Sequence, residues 1–108
     1  MPDQQESDVL VRDEPEEKRF AIVVDGTVAG FVAYEQRGEA LALLHTEVDS
    51  SYEGQGLGSK LVAGTLNQLR DRGTPVLPFC SFVRSYLKRH QELQSVVPDE
   101  QRASFGLG

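Results

Sequence analysis

Residues 48–61 are Val48-Asp49-Ser50-Ser51-Tyr52-Glu53-Gly54-Gln55-Gly56-Leu57-Gly58-Ser59-Lys60-Leu61. They follow an apolar run that is typical of a β-strand and ends at Val48, and they lead into helical periodicity that begins at Leu57. A glycine-rich turn between a strand and a helix leaves backbone N–H groups without partners beside the positive end of the helix dipole. The stretch therefore predicts an anion site, most often one for phosphate.

Two familiar nucleotide-binding loops occur in the same strand-turn-helix setting, and neither fits these residues. The dinucleotide fingerprint G-x-G-x-x-G requires a third glycine, but Ser59 stands at that position after Gly54 and Gly56. The P-loop pattern G-x-x-x-x-G-K-[ST] requires a glycine before its lysine and a hydroxyl after it, whereas Lys60 lies between Ser59 and Leu61. The phosphate ligand is therefore of another class.

Length and composition predict one domain. At 108 residues, of which 39% are hydrophobic, the chain has room for a single core. It has no apolar run near the ~20 residues of a membrane span, no basic and then apolar N-terminus, and a single cysteine. We expect a soluble, cytoplasmic monomer with no membrane contact.

The net charge of −6 is concentrated at the N-terminus. Residues 1–17 hold seven acids and one base, whereas residues 18–108 hold ten of each sign. We expect residues 1–17 to be an acidic, largely disordered and solubilising segment with one candidate short strand at Val9-Leu10-Val11. The neutral body argues against nucleic-acid binding, and the scattered histidines and cysteine do not have metal-ligand spacing.

The remaining patterns predict a mixed α/β domain over residues 18–90. Strands are predicted at Lys18 to Val24, Thr27 to Glu35, Ala40 to Val48 and Val76 to Phe79, with Asp25-Gly26 as a two-residue hairpin turn. Five apolar residues open the third of these strands and indicate that it is covered on both faces.

Two main helices complete the predicted domain. The first begins at Leu57 and is stopped by Gly73, and the second is capped by Ser81. The crossover between the last two strands makes them parallel. We expect little order in residues 91–108, which form a C-terminal tail that adds at most one short packed segment.

The loop resembles the pyrophosphate loop of the GNAT superfamily of N-acetyltransferases, whose pattern is [RQ]-x-x-G-x-[GA] at the start of a helix. Here the pattern is Glu53-Gly54-Gln55-Gly56-Leu57-Gly58, with Glu53 in place of Arg or Gln. The chain is most similar to the small single-domain subgroup, and the resemblance covers roughly residues 18–90. The other resembling residues are Arg19-Phe20, Asp25-Gly26, His45-Thr46-Glu47-Val48, Pro78-Phe79-Cys80-Ser81-Phe82-Val83, Tyr86 and His90.

The resemblance implies a ligand and a way of holding it. Two parallel strands splay apart at their ends and hold acetyl-CoA in the gap, where backbone groups of Thr46 to Val48 pair with the pantetheine amides and the loop amides bind the pyrophosphate. The implied partners are acetyl-CoA, as co-substrate, and an unidentified amine acceptor, with no metal. The implied acetyl-CoA-binding residues are Thr46, Val48, Gly54, Gln55, Gly56, Leu57, Gly58 and Ser59.

Acetyl transfer to an amine requires a base, because a lysine-like amine has a pKa of ~10.4. His45 and Glu47 fall on one face at the end of the central strand and are the candidate bases. In the alternative interpretation, His45 is a hydrogen-bonded, half-buried side chain and Glu47 is simply solvated.

Two further residues are candidates for catalysis. Tyr86 lies where many GNAT enzymes place a tyrosine that protonates the departing thiolate, although an aromatic residue of this kind can also simply pack on the sheet. Cys80 precedes a helix N-terminus, which favours the thiolate, and could form a covalent acetyl intermediate. Isolated cysteines are more often small buried hydrophobes.

The sequence therefore predicts an acetyl-CoA-dependent N-acetyltransferase. One alternative is a CoA-binding or acyl-CoA-binding sensor without turnover. A second is an interaction protein that keeps only the fold.

Overall fold

Five strands form one mixed sheet in the order of the chain. The computed structural model describes residues 8–107, so residues 1–7 of the segment 1–17 that was predicted to be largely disordered lie outside the described part, whereas residues 9–14 of that segment form a strand. The first four strands pair antiparallel, and the fourth and fifth pair parallel. The strands are β1 Val9–Glu14, β2 Arg19–Val24, β3 Thr27–Arg37, β4 Ala40–Val48 and β5 Val76–Pro78. The predicted fold class is confirmed.

Helices follow β4 and β5 as predicted. The α-helices are α1 Leu57–Arg72, α2 Ser81–Arg89 and α3 Asp99–Arg102, and 3-10 turns lie at Ser50–Tyr52, Gln91–Val96 and Ala103–Phe105. The α1 helix begins and ends at glycines in the left-handed region, Gly56 and Gly73, both with φ 73°. The Gly73 N–H donates to the carbonyls of Arg70 and Leu69, which closes the helix.

The β2–β3 hairpin follows from its turn residues. Asp25 and Gly26 have φ values of 49° and 85°, the conformation that a two-residue turn between right-twisted strands requires. The Asp25 carboxylate also accepts a hydrogen bond from the Asp8 N–H at 2.9 Å, which ties the start of β1 to this turn. The predicted hairpin is confirmed.

The core lies on one face of the sheet. Its strand residues alternate along each strand, and α1, α2 and the turn after α2 bury their apolar residues against them in one cluster. The largest fully buried side chains are Phe20, Ile22, Leu43, Leu61, Leu66, Leu69, Leu87, Val32, Val62, Val76, Val83 and Val97.

Leu41, Ala42 and Leu43 are all buried, so the first half of β4 is covered on both faces, as its apolar run predicts, whereas the second half is more exposed. The register between β3 and β4 shifts at Ala33/Tyr34, where Leu43 pairs with Tyr34 and His45 pairs with Ala33. Leu44 is the extra residue of this bulge and is 39% exposed. Within the apolar run, Leu41 and Leu43 belong to the core, whereas Leu44 does not.

The start of α2 differs from the prediction by one residue. Cys80, with extended backbone angles, occupies the N-cap, and no side chain caps the helix; Ser81 is the first helical residue. The Cys80 N–H donates to the Leu43 carbonyl at 2.9 Å. Cys80 is therefore held in the extended conformation by β4, and the helix can begin only after it.

Residues 91–107 are more ordered than the sequence pattern indicates. Leu93, Val96, Val97 and Leu107 join the core cluster. The Arg102 guanidinium donates to the carbonyls of Gln94 and Val97, at 3.2 and 2.9 Å. These hydrogen bonds give partners to backbone carbonyls of short helical turns. The sequence of these turns has no periodic apolar pattern.

Polar side chains tie β1 to β3 and α1. The Tyr34 hydroxyl donates to Asp13 at 2.6 Å, and Arg72 donates to the other carboxylate oxygen of Asp13 at 3.0 Å. Burial and the hydrogen bond to Asp13 raise the pKa of Tyr34, so the phenol remains a neutral donor.

The α1 helix and the β1 strand approach each other closely at Gly64 and Val11. Substitutions at these two residues should therefore have non-additive effects on stability. A Cβ added at Gly64 would lie 2.7 Å from Val11 Cγ2 and 2.8 Å from Val11 Cβ. Alanine favours a helix over glycine by about 1 kcal/mol, but the clash should exceed that gain. We expect Gly64→Ala to lower the free energy of unfolding by about 1 kcal/mol, and to raise it by up to about 1 kcal/mol when Val11 is also alanine. Urea unfolding of the wild type, Gly64→Ala, Val11→Ala and the double variant measures both changes in the free energy of unfolding. An equal effect of Gly64→Ala with valine and with alanine at position 11 would contradict the close contact.

A second prediction concerns acid stability. Hydrogen bonds from Arg19, at 2.7 Å, and from Arg12, at 2.8 Å, lower the pKa of Glu14 below its usual value. A carboxylate whose pKa is depressed in the folded state stabilises the fold above its unfolded pKa, and the stabilisation is lost as the pH falls through the folded pKa. We expect Glu14→Gln to cost about 0.5–1 kcal/mol at neutral pH and progressively less on acidification.

The matched control for this experiment is Glu39→Gln, which removes the same charge from an exposed turn. Unfolding curves of the wild type and both variants across the acid range make the comparison. A Glu14→Gln penalty that does not change with pH would refute the assignment to the two arginines.

Candidate functional site

The loop between β4 and α1 presents a row of unpartnered backbone amides. Gly54 and Gly56 have φ values of 85° and 73°, so the chain turns sharply there. Among the described residues, no acceptor meets the N–H groups of residues 54–59, and the Gly56 cap has no side-chain hydrogen bond. The first turn of the 16-residue α1 helix contains no acidic residue. These amides are therefore open donors at the positive end of a helix dipole, an arrangement that favours an anion.

The three loop glycines are required for two different reasons. Gly54 and Gly56 need glycine for their positive φ, and nothing lies within 4 Å of a Cβ built on either. Gly58 needs glycine for space, because its Cβ would lie 2.8 Å from the Phe82 ring. Phe82 covers Gly58 and is 42% exposed, so it forms a wall beside the amides. The sequence pattern could not indicate this contact, because Gly58 and Phe82 lie on different helices.

A gap opens beside the loop, between β4 and β5. Their pairing covers Leu41–Leu43 and Val76–Pro78 only, whereas β4 continues to Val48. The last residues of β4 therefore have no strand partner on the β5 side within residues 8–107. Every second N–H and C=O group of this segment points into the gap. Thr46 and Val48, both half-buried, lie on the core side of β4 here.

Cys80 lies at the inner end of this gap. Its thiol is 3.2 Å from the Thr46 hydroxyl, and the residue is 7% exposed. This contact is a side-chain bridge between β4 and the end of β5, beyond the last backbone pair. Of the predicted site residues, Thr46 and Cys80 are thus brought together by the fold.

His45 and Glu47 lie on the other face of β4, as their alternation predicts. The His45 Nε2 is 2.6 Å from Glu47 Oε2, and both side chains are more than half exposed. The Phe31 ring meets the imidazole edge with 6.3 Å between centroids. The structure therefore divides the four candidate catalytic residues, with the His45–Glu47 pair on the open face and Cys80 and Tyr86 on the helix-covered side.

Tyr86 packs on the core side of the site. It is 8% exposed and belongs to the same buried cluster as Cys80. The His90 ring stacks on it at 3.9 Å with a 10° angle, and His90 Nδ1 is 2.9 Å from the Tyr86 carbonyl oxygen. The stack restricts the rotation of the Tyr86 ring.

A hollow of about 220 Å³ lies beside Glu47 on the open face. Phe31, Glu47 and Asp49 line it, and Arg19 closes one side. The Ser51 hydroxyl and then its N–H donate to Asp49 and hold the pKa of that carboxyl below its usual value. Asp49 is therefore ionised at neutral pH. Phe31 and Arg19 were not predicted as site residues, because only the register of β2, β3 and β4 brings them beside Glu47.

Residues 8–107 were also compared with the requirements of a metal site and of a membrane-spanning helix, and they meet neither. No group of three or more His, Cys, Asp or Glu side chains there could hold a metal ion. None of the helices in that range is long and apolar enough to cross a membrane.

The comparison with known families agrees with this architecture. The sequence model of the GCN5-related N-acetyl-transferase family matches residues 19–96, which is most of the chain. The chain therefore belongs to this family, and it is a small domain of the acetyltransferase type. Among curated proteins, none matches the chain. The match extends past residue 90, into the turn that contributes Leu93 and Val96 to the core.

Proposed function

We propose that this protein binds acetyl-CoA and transfers its acetyl group to an amine. The observation that carries the proposal is the row of unpartnered amides at residues 54–59, placed at a helix N-terminus and next to the unpaired end of β4. A diphosphate needs such a row of donors, and an extended chain of amides needs an unpaired strand edge. The family to which the chain belongs supports the same chemistry.

The described residues fit this co-substrate. The amides of Gly54, Gln55, Gly56, Leu57, Gly58 and Ser59 would hold the pyrophosphate, where open space around Gly54 and Gly56 leaves access to the backbone. The backbone of Thr46 and Val48 would pair with the pantetheine amides. Glu53 is exposed next to the loop, so its carboxylate can point into solvent and away from a bound phosphate.

The acceptor amine must lose a proton before or as it attacks. Glu47, hydrogen-bonded to His45 and open to solvent, can take that proton directly or through water. Both side chains are more than half exposed, so an acceptor can approach the pair. On the opposite side, Tyr86 can donate a proton to the departing thiolate, with His90 holding its ring.

Cys80 offers a second chemical route. Its thiolate could attack the thioester carbonyl, which would form an acetyl-Cys80 thioester and release the thiolate of CoA. Attack of the amine on this thioester would then give the amide and regenerate the Cys80 thiolate. The Thr46 hydroxyl, at 3.2 Å, is the hydrogen-bonding partner that would orient the sulfur.

A sensor that binds acyl-CoA without turnover is the second candidate. One observation favours it: the His45 and Glu47 side chains are both more than half exposed, so few walls surround an acceptor there. An interaction protein that keeps only the fold would require that the loop bind nothing. Cytoplasmic location and a monomeric state remain predictions from the sequence.

The loop can be tested with a pair of matched glycine variants. Gly56 and Gly73 share a φ of 73°, and a Cβ at either meets no atom within 4 Å. Valine should therefore cost similar backbone strain, about 1–2 kcal/mol, at both ends of α1. We expect Gly56→Val to abolish acetyl-CoA binding, because the side chain would stand before the amides, and Gly73→Val to retain it.

Thermal unfolding with and without acetyl-CoA measures the difference. Ligand at one hundred times its Kd stabilises a protein by about 2.7 kcal/mol, which gives a clear increase in Tm for the wild type and Gly73→Val. Equal Tm increases for both valine variants would place the ligand elsewhere. No increase in the wild type would leave only the fold-only alternative.

Point variants separate the catalytic roles. We expect Glu47→Gln to reduce kcat by about 10²–10⁴-fold, the usual contribution of a general base, without loss of acetyl-CoA binding. Tyr86→Phe should reduce kcat in the same way, and Cys80→Ser should abolish transfer only if the covalent route operates. Glu39→Gln removes the same group from an exposed turn outside the site and is the control.

Intact-protein mass spectrometry after mixing with acetyl-CoA identifies an acetyl-Cys80 species directly. Full activity in Cys80→Ser would establish direct transfer. Full activity in Glu47→Gln would contradict the proposed base, and binding without turnover in the wild type would support the sensor.

A further inference from the structure

Phe82 lies between the two halves of the candidate site. The tip of its ring points at the loop, because Cζ, Cε2 and Cε1 lie 2.8, 3.4 and 3.6 Å from a Cβ built on Gly58. Two residues earlier in the chain, Cys80 lies at the inner end of the gap, where its thiol meets the Thr46 hydroxyl. A ligand that joins the loop amides to the gap would therefore pass the Phe82 ring.

The α2 helix holds this ring in a fixed position. Phe82 is the second residue of the helix, whose N-cap is Cys80. The Arg84 guanidinium donates to the carbonyls of Pro78 and Phe79, at 3.1 and 2.6 Å, and thereby ties the first turn of α2 to the end of β5. Phe82 is nevertheless 42% exposed. Its exposed surface is therefore available to an apolar part of a ligand.

Coenzyme A has an apolar segment next to its diphosphate. Between the phosphates and the first pantetheine amide, its chain contains a carbon atom that bears two methyl groups. The loop amides can bind the phosphates and the unpaired edge of β4 can bind the pantetheine amides, but neither offers apolar surface to the methyl groups. The Phe82 ring offers this surface, and the contact would remove apolar area of both partners from water.

The orientation of the ring is compatible with a phosphate on the loop. The ring presents its edge to Gly58, since the atoms nearest to that residue are Cζ and the two Cε atoms. The edge of an aromatic ring carries the positive part of its quadrupole, whereas the face carries the negative part. The Phe82 ring therefore does not repel an anion that is bound by the neighbouring amides.

We propose that Phe82 is a specificity-determining residue that makes the site select coenzyme A over a nucleotide diphosphate without the pantetheine arm. This inference rests on the proposed binding of acetyl-CoA. The amides of residues 54–59 would bind the phosphates of either ligand, whereas the ring would contact only the methyl-bearing segment. Loss of the ring should therefore cost affinity only for the ligand that carries the arm.

Calorimetric titration with two ligands tests this role. The ligands are coenzyme A and 3′-phosphoadenosine 5′-diphosphate, which has the same nucleotide and diphosphate but no pantetheine arm. We expect Phe82→Ala to raise the Kd of coenzyme A about fivefold to tenfold, as the uncovering of about half of an aromatic side chain predicts, and to leave the Kd of the nucleotide unchanged. Phe82→Leu retains an apolar side chain and should restore most of the affinity.

The matched control is Phe79→Ala. Phe79 is 44% exposed, close to the value for Phe82, but its ring contacts the Arg37 guanidinium and the Phe105 ring, with centroid distances of 5.1 and 5.2 Å. It has no contact with the loop glycines. We expect this variant to leave the Kd values of both ligands unchanged.

The possible results separate this inference from the proposed function. An equal increase of both Kd values in Phe82→Ala would show that the ring only holds the loop at Gly58, which would overturn the selection and leave coenzyme A binding intact. Unchanged Kd values in Phe82→Ala, or equal Kd values of the two ligands for the wild type, would also overturn the selection alone. Failure of the wild type to bind either ligand would overturn the proposed function and, with it, this inference.

Discussion

The α1 helix starts at a left-handed glycine without a capping side chain, and the candidate site depends on this feature. A serine, threonine or aspartate at the N-cap would satisfy the first-turn amides from within the chain. With Gly56 at that position, the amides of Leu57, Gly58 and Ser59 remain available to an external anion. The helix is stabilised elsewhere, by its buried stripe and by the hydrogen bonds of the Gly73 cap.

Unequal strand lengths supply the second half of the site. The β5 strand contributes only three residues, so β4 extends beyond it and has an unpaired edge next to the loop. The Thr46–Cys80 contact bridges the two strands where backbone pairing has stopped. In the proposed reaction, the co-substrate would use this edge, and the amine would meet the His45–Glu47 pair on the other face of the same strand.

The one-sided core explains why the two faces of β4 differ in chemistry. All buried helical residues of the described chain pack on one face, which makes that side apolar and suits a thiol, a phenol and a thioester. On the opposite face the ion pairs and carboxylates remain in contact with water, so their charges carry little desolvation cost. Burial thus places the nucleophile candidate in the dry half and the acid–base pair in the wet half.

Local patterns in the sequence were sufficient for every feature that depends on neighbouring residues. Asp25-Gly26 specifies its turn because both residues tolerate positive φ, and Gly56 and Gly73 bound α1 for the same reason. The alternation of residues 45–48 correctly separated His45 and Glu47 from Thr46 and Val48. The glycine turn before α1 could be located for the same reason, since the turn and the helix after it are contiguous in the chain.

Tertiary structure decided what depends on register and on distant partners. The bulge at Leu44 puts Leu43 and His45 on opposite faces, although strict alternation would put them on the same face. The hydrogen bond from Cys80 to Leu43 places the start of α2 at Ser81. Residues 91–107 have no periodic apolar pattern, yet four of them pack into the core. The hollow beside Glu47 joins Arg19 to Glu47 and Asp49, and only strand pairing brings these residues together. A sequence pattern reports the preferences of one segment, whereas a site built from several strands exists only once their register is set.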